Sequence, residues 1–186
     1  LSDGYFVLPY TLQNHLTDQI NVPHFKTDLP EFEKTEKEVQ DRIDILLNIK
    51  GDKSVDSFHK RLGLIMWDQV GMGRTKESLE KAIVQIQELR KEFWKNVKVP
   101  GSREGMNTEL EKAIRLADYL ELGELMARDA LTRNESCGGH FREEYQTEDG
   151  EALRDDKDFA FVSAWEYMGD DKEAKLNKEV LNFEFV

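Results

Sequence analysis

The sequence has a single cysteine, Cys137, among its 186 residues. An internal disulfide framework is therefore excluded, and a lone thiol is typical of a reducing compartment. No stretch approaches the roughly 18 consecutive apolar residues that a membrane-spanning helix needs. The opening residues, Leu1–Gly4, lack the basic start and apolar core of a secretory signal. We therefore expect no disulfide, no membrane span and no secretion signal in these residues.

Positive charge is also scarce, because 26 Lys and Arg residues face 38 Asp and Glu residues and the net charge is −12. Such a chain is repelled by nucleic acid and by anionic membrane surfaces, so we expect no nucleic-acid partner. Hydrophobic residues make up 39% and charged residues 34% of the sequence, which is a polar but globular balance. A chain of this length can bury roughly 70% of its unfolded surface in a core.

The spacing of apolar residues predicts a mainly α fold. Apolar side chains recur every three to four residues in five segments, which we interpret as helices over about 8–20, 30–49, 54–70, 76–97 and 108–133. Thr75 and Asn107 are expected N-caps of the last two helices. The connections between these segments are short, and short connections favour antiparallel packing of neighbouring helices. The sequence therefore predicts an antiparallel helical bundle.

Helical periodicity is lost after Asn134. Aromatic residues over 159–167 and alternating apolar residues over 179–186 predict two strands, joined by a turn at residues 169–171. An isolated hairpin is only marginally stable, so it must pack on another element. The predicted fold class is therefore an antiparallel helical bundle followed by a small C-terminal β-hairpin segment.

Several residues that could carry chemistry have simpler interpretations. Gly71-x-Gly73 lacks the Lys-Ser/Thr of a phosphate-binding loop and is read as a helix-breaking turn. Cys137 and His140 supply only half of a zinc site, and zinc needs three or four protein ligands. The tryptophans are expected in the core and not on ligand platforms: Trp67, Trp94 and Trp165.

One segment does not fit a plain surface loop. Residues 133–144 read Arg-Asn-Glu-Ser-Cys-Gly-Gly-His-Phe-Arg-Glu-Glu and place charged side chains around two glycines. Two glycines permit a tight turn and a close approach of the backbone. Charged residues beside such a turn form either a buried ion-pair network or a docking surface, and both interpretations stay open.

This segment resembles the Arg-x-Glu-Ser-Arg-Gly-Ala-His-x-Arg-x-Asp signature of succinate dehydrogenase and fumarate reductase flavoproteins. The matching positions are Arg133, Glu135, Ser136, Gly138, His140 and Arg142. The sequence departs from the signature at Cys137, Gly139 and Glu144. The variant is similar to a bacterial branch typical of anaerobes with a quinol-linked fumarate reductase.

The resemblance covers nearly the whole chain and implies three parts. Residues 1–29 resemble the last helix of a flavin-binding domain plus a linker, and Asp3–Leu12 carry that likeness. Residues 30–134 resemble the family's helical bundle domain, with Gly71–Arg74 near its middle. Residues 135–186 resemble its C-terminal loop and hairpin segment.

In this family the complete subunit binds FAD and passes hydride between the flavin and the C2–C3 bond of fumarate or succinate. The residues that do this precede Leu1 in the family's order, and the sequence lacks the Gly-x-Gly-x-x-Gly loop of an FAD pyrophosphate site. We therefore expect no catalytic, flavin-binding or metal-binding residue in this chain. The chain alone is expected to be inactive.

The resemblance also implies partners and a location. They are the flavin-binding domain of the same subunit, an iron–sulfur subunit and, indirectly, a quinone-binding membrane anchor, at the cytoplasmic face of the membrane. The candidate docking residues are Arg133, Glu135, His140 and Arg142, with an internal ion-pair network as the alternative.

Two other interpretations stay open at this point. The C-terminal region of L-aspartate oxidase carries a related signature, but that enzyme works without an iron–sulfur partner. A free-standing acidic helical module that binds another protein is the alternative from a different functional class. A free-standing module should cover the apolar residues 5–12, whereas a piece of a larger subunit should leave them exposed.

Overall fold

The computed structural model describes residues 1–169 and 172–182, in two compact units, Leu1–Arg42 and Ile43–Val186. Its α-helices are α1 (Leu8–Leu16), α2 (Pro30–Asn48), α3 (Val55–Gln69), α4 (Lys76–Asn96), α5 (Thr108–Thr132) and α6 (Asp156–Phe159). Its strands are β1 (Lys53–Ser54), β2 (Val97–Lys98), β3 (Phe161–Glu166) and β4 (Lys175–Val180). The predicted fold class, a helical bundle followed by a small hairpin, is confirmed.

The first unit begins with a π-helical turn at Asp3–Val7, continues into α1 and ends its helical path with a 3₁₀ turn at Thr17–Gln19. Proline in the first turn of α1 suits a helix start, where its missing N–H costs nothing. The large apolar side chains of this path are all exposed, and Phe6 retains 70% of its accessible surface. The predicted helix forms, but its apolar side chains are left uncovered.

The core of the second unit lies between α3, α4 and α5, joined by the end of α2 from Ile43 onward. Each helix contributes an apolar stripe at the predicted spacing. The completely buried apolar side chains include Leu46, Phe58, Leu79, Ile86, Phe93 and Leu120. Phe58 of α3 and Phe93 of α4 meet edge to face, with ring centroids 5.5 Å apart.

Polar caps fix where the bundle helices start. The Thr75 hydroxyl accepts the backbone N–H of Ser78, and the Ser78 hydroxyl accepts the N–H of Thr75, which forms a reciprocal capping box on α4. The Asn107 side chain caps α5 by accepting the N–H of Leu110 at 3.0 Å. Both predicted N-caps are confirmed.

A short parallel pairing of β1 with β2 was not predicted from the sequence. It brings the start of α3 beside the end of α4, where the N–H of Asp52 donates to the Asn96 side chain at 3.1 Å. Gly51 lies against this junction, and a Cβ there would overlap the carbonyl group of Asn96. Glycine is therefore required by the close approach of two backbones, in addition to ending α2.

The hairpin forms, but the predicted strand limits were wrong. The first strand starts at Phe161 because Phe159 ends the short helix α6. Phe161 pairs with Val180 and Glu166 with Lys175, so the second strand is 175–180 and overlaps the predicted 179–186 only at its start. Residues 170–171 of the predicted turn lie outside the described residues. Residues 183–186 of the prediction lie outside the described residues.

The prediction that all three tryptophans are in the core was wrong for Trp67. Its side chain is 82% exposed, whereas Trp94 and Trp165 are half-buried. Trp67 follows the buried Leu62 by five residues on α3, and at about 100° per residue that spacing turns it away from the core-facing side. Trp67 therefore belongs to the surface.

Phe93→Ala should lower the free energy of unfolding by about 3–5 kcal/mol, because it removes a fully buried ring and leaves a cavity. Trp67→Ala is the matched control and should change it by less than about 1 kcal/mol. Urea unfolding of both variants measures the difference. The two are compared with the same slope of the free energy of unfolding against urea concentration. Equal losses would contradict this description of the core.

Candidate functional site

The segment 133–144 continues from the end of α5 and folds back on itself at its glycines. Cys137 and His140 exchange backbone hydrogen bonds of 2.8 and 3.0 Å, which closes a tight two-residue turn. Gly138 adopts a left-handed conformation with φ of 59°, which favours glycine. The turn brings the Cys137 and His140 positions together beside the last turn of α5.

Arg142 is the most deeply buried charged residue here, with 2% of its surface exposed. Its Nη1 donates to the carbonyl oxygens of Ala130 (3.1 Å) and Leu131 (3.4 Å), near the end of α5. Its Nε donates to Glu144 Oε2 at 3.1 Å. The last carbonyl groups of a helix lack intrahelical partners and carry partial negative charge, so a guanidinium is well suited to cap them.

Glu144 extends this connection to α4. Its Oε1 accepts the backbone N–H of Lys76, the first residue of that helix, where a carboxylate is favoured. Burial acts to raise the pKa of Glu144, but hydrogen bonds from Lys76 and Arg142 outweigh it and the pKa is lowered. The pair Arg142–Glu144 thus joins the end of α5 to the beginning of α4.

Glu135 and Arg133 form a second pair that reaches the C-terminal hairpin. Glu135 is 2% exposed and accepts Arg133 Nη1 at 2.7 Å and the N–H of Asp155 at 2.9 Å. Arg133 also donates to the carbonyl oxygens of Phe159 and Phe161 at 3.2 and 3.3 Å. The Arg133–Glu135 pair therefore fixes the start of β3 to the segment.

His140 bridges α5 to the connection between α3 and α4. Its Nδ1 lies 3.1 Å from Nη1 of Arg74, and its Nε2 lies 3.0 Å from the carbonyl oxygen of Arg133. A guanidinium can only donate, so Nδ1 must accept and the ring proton resides on Nε2. Burial lowers the pKa of His140, and the charges of neighbouring arginines lower it further, against a raising effect of the carbonyl. The imidazole is therefore neutral at pH 7.

A cavity of about 300 Å³ opens beside this turn. It is lined by Arg74, Met126, Asp129, Ala130, Arg133, Cys137 and His140. Within residues 1–169 and 172–182, no three His, Cys, Asp or Glu side chains come together as a metal site. No helix in the same part of the chain is both long and apolar enough to cross a bilayer.

Known proteins resemble this chain in sequence and in fold. A family profile described as fumarate reductase flavoprotein C-term matches residues 59–186, which is more than half of the chain. The chain belongs to this family. It corresponds to the C-terminal region of flavoprotein subunits of the fumarate reductase and succinate dehydrogenase type, which are its relatives.

Individual relatives agree with the family assignment. The Escherichia coli K12 fumarate reductase flavoprotein subunit is 33% identical over 121 residues, covering 65% of this chain and 19% of that protein. The Helicobacter pylori J99 subunit is 36% identical over 115 residues, covering 62% of this chain and 16% of that protein. A solved E. coli quinol fumarate reductase FrdA chain superposes with a TM-score of 0.76 at 25% identity, over 92% of this chain and 28% of that one. The chain spans about one fifth or less of the curated relatives it matches.

The four predicted docking residues of this fumarate reductase flavoprotein region come together, but not on one open surface. Glu135 and Arg142 are buried, whereas Arg133 and His140 are half-buried and line the cavity. Their role in docking stays a prediction. Arg74 was missed as a site residue, because it lies 66 residues before His140 and only Gly71–Arg74 pointed to that region.

Arg142→Gln should lower the free energy of unfolding by about 3 kcal/mol or more, because it leaves the α5 carbonyl groups and Glu144 without a buried cation. Arg115→Gln is the matched control, since it breaks an exposed ion pair with Glu111 and should cost less than about 1 kcal/mol. Chemical denaturation of the two variants checks this. Comparable losses would show that Arg142 does not hold the segment.

Acid should weaken the fold through His140. Because its pKa is lowered from 6.5, the unfolded chain binds this proton more readily, and stability is lost as pH falls through and below about 6.5. The free energy of unfolding should therefore drop less in His140→Gln than in the parent between about pH 7.5 and about pH 5.5. An equal drop in the two proteins over this pH range would contradict the role of His140.

Proposed function

We propose that this chain is the C-terminal scaffolding and docking part of the flavoprotein subunit of a quinol-linked fumarate reductase. The complete subunit would bind FAD and interconvert fumarate and succinate. The family match, the signature at 133–144 and the quinol fumarate reductase among the structural relatives support this proposal. The chain itself supplies no catalytic, flavin or metal residue in this proposal, and alone it is expected to be inactive.

The observation that carries the proposal is an apolar groove between α3 and α5, here called the α3–α5 groove. It has a volume of about 210 Å³ and is lined by His59, Leu62, Gly63, Met66, Tyr119, Leu122, Gly123 and Met126. Leu122 is 52% and Met126 46% exposed, and Trp67, next to Met66 on α3, is 82% exposed. Contiguous exposed apolar surface of this kind marks an interface.

The proposed occupant of this groove is the flavin-binding part of the same subunit. Because the matched relatives extend over five times or more the length that this chain covers, most of such a subunit lies outside this structure. The exposed apolar side chains of residues 5–12 support the same conclusion, since a free-standing module should cover them. The proposed division of the chain is 1–29 as the last helix of the flavin-binding domain, 30–134 as the bundle and 135–186 as the C-terminal segment.

The segment 133–144 is proposed to face the iron–sulfur subunit. Arg133 and His140 would reach that partner from the cavity, while Glu135 holds Arg133 through an ion pair at 2.7 Å. Membrane association would be indirect, through a quinone-binding anchor subunit at the cytoplasmic face of the membrane. Assembly with an iron–sulfur subunit would also separate this protein from an L-aspartate oxidase, which has none.

A split subunit tests the proposal. The flavin-binding part and this chain would be produced as two polypeptides, mixed, and assayed for association and for fumarate reduction by a chemically reduced dye. We expect the two pieces to associate, and Leu122→Asp to weaken their association by roughly tenfold or more, because it places a charge in an apolar interface.

Val84→Asp is the matched control, because Val84 on α4 is 54% exposed and lies outside the groove. It should leave association unchanged within about twofold. Thermal unfolding of both variants of this chain separates a lost contact from a lost fold. Failure of the parental pieces to associate, with both folded, would refute the scaffolding role and favour a free-standing module.

A further inference from the structure

Arg74 is a partly buried cation that has no carboxylate in direct contact within the described part of the chain. Its Nε donates to the carbonyl oxygens of Val70 and Gly71 at 3.2 and 2.9 Å, and its Nη1 donates to the neutral His140. Among the residues that the structure describes, no carboxylate lies within ion-pair distance of it. Burial lowers the pKa of Arg74, opposed by the more distant charge of Asp129. Backbone carbonyl dipoles and the more distant charge of Asp129 therefore stabilise this guanidinium.

The other charged side chains that line the cavity are held by partners other than Arg74. Arg133 is already neutralised by Glu135 at 2.7 Å. Asp129 directs Oδ1 to the indole N–H of Trp165 at 2.7 Å, which fixes its carboxylate without pairing it to Arg74. The cavity thus offers a guanidinium that, within the described residues, makes no direct ion pair, in a chain whose net charge is −12.

We propose that this cavity receives a carboxylate side chain of the iron–sulfur subunit, which forms an ion pair with Arg74. This inference rests on the proposed docking role of the segment 133–144. A carboxylate fits because two of its oxygens match the planar fork of a guanidinium, and because it supplies the charge that the neighbouring carbonyl groups do not. The volume of about 300 Å³ is sufficient for one Asp or Glu side chain.

Two variants of the complete flavoprotein subunit test this pairing in opposite directions. Arg74→Gln should weaken binding of the iron–sulfur subunit by at least about tenfold and reduce its dependence on salt. Asp129→Asn should tighten binding by at least about threefold, because it removes a negative charge that repels the incoming carboxylate. Asn can still accept the Trp165 N–H, and all bonds of Arg74 stay intact.

Two control variants make the same substitutions, Arg to Gln and Asp to Asn, at positions outside the cavity. Arg115→Gln and Asp44→Asn alter exposed ion pairs on α5 and α2, and binding should stay within about twofold of the parent. If the parental subunit does not bind the iron–sulfur subunit, the proposed function fails. If it binds, but Asp129→Asn weakens binding or leaves it unchanged, the carboxylate pairing is overturned and the docking role remains.

Discussion

The burial of one guanidinium, that of Arg142, sets the arrangement of the segment that follows the bundle. A cation removed from water at this depth is tolerated only if it is paired and hydrogen-bonded. The end of α5 supplies carbonyl oxygens and Glu144 supplies a carboxylate. Since Glu144 also binds the first N–H of α4, a single buried charge fixes the relative position of two helix ends.

The remaining charges of the family signature follow the same logic. Arg133 and Glu135 neutralise each other and reach the backbone on either side of α6, so the hairpin is attached by hydrogen bonds as well as by packing. His140 works as a neutral bridge because burial, and then the neighbouring arginines, lower its pKa. The charged side chains of this segment therefore form a largely internal network, and its half-buried members Arg133 and His140 line the cavity.

The sequence predicted those features of the fold that depend on residues close together in the chain, namely the helix starts and the buried helix faces. Helix starts at Thr75 and Asn107 are determined by side chains within three residues, and the apolar stripes report directly which helix faces are buried. The hairpin register depends on pairing across a turn, and the alternation over 179–186 gave the wrong strand limits. Arg74 was missed for a stronger reason, because its role depends on a contact 66 residues away that no local pattern records.

The hydrogen bond between Glu144 and Lys76 has a consequence for the order in which the protein can be completed during synthesis. The capping box of Thr75 and Ser78 is local and forms as soon as α4 leaves the ribosome. The cap of α5 by Arg142 waits until the chain is 12 residues past Ala130, and the second cap of α4 waits for Glu144. A nascent chain that stops at Thr132 would hold its three core helices with two of their ends unsatisfied. The signature segment therefore adds these caps only after the core helices α3, α4 and α5 have been synthesised.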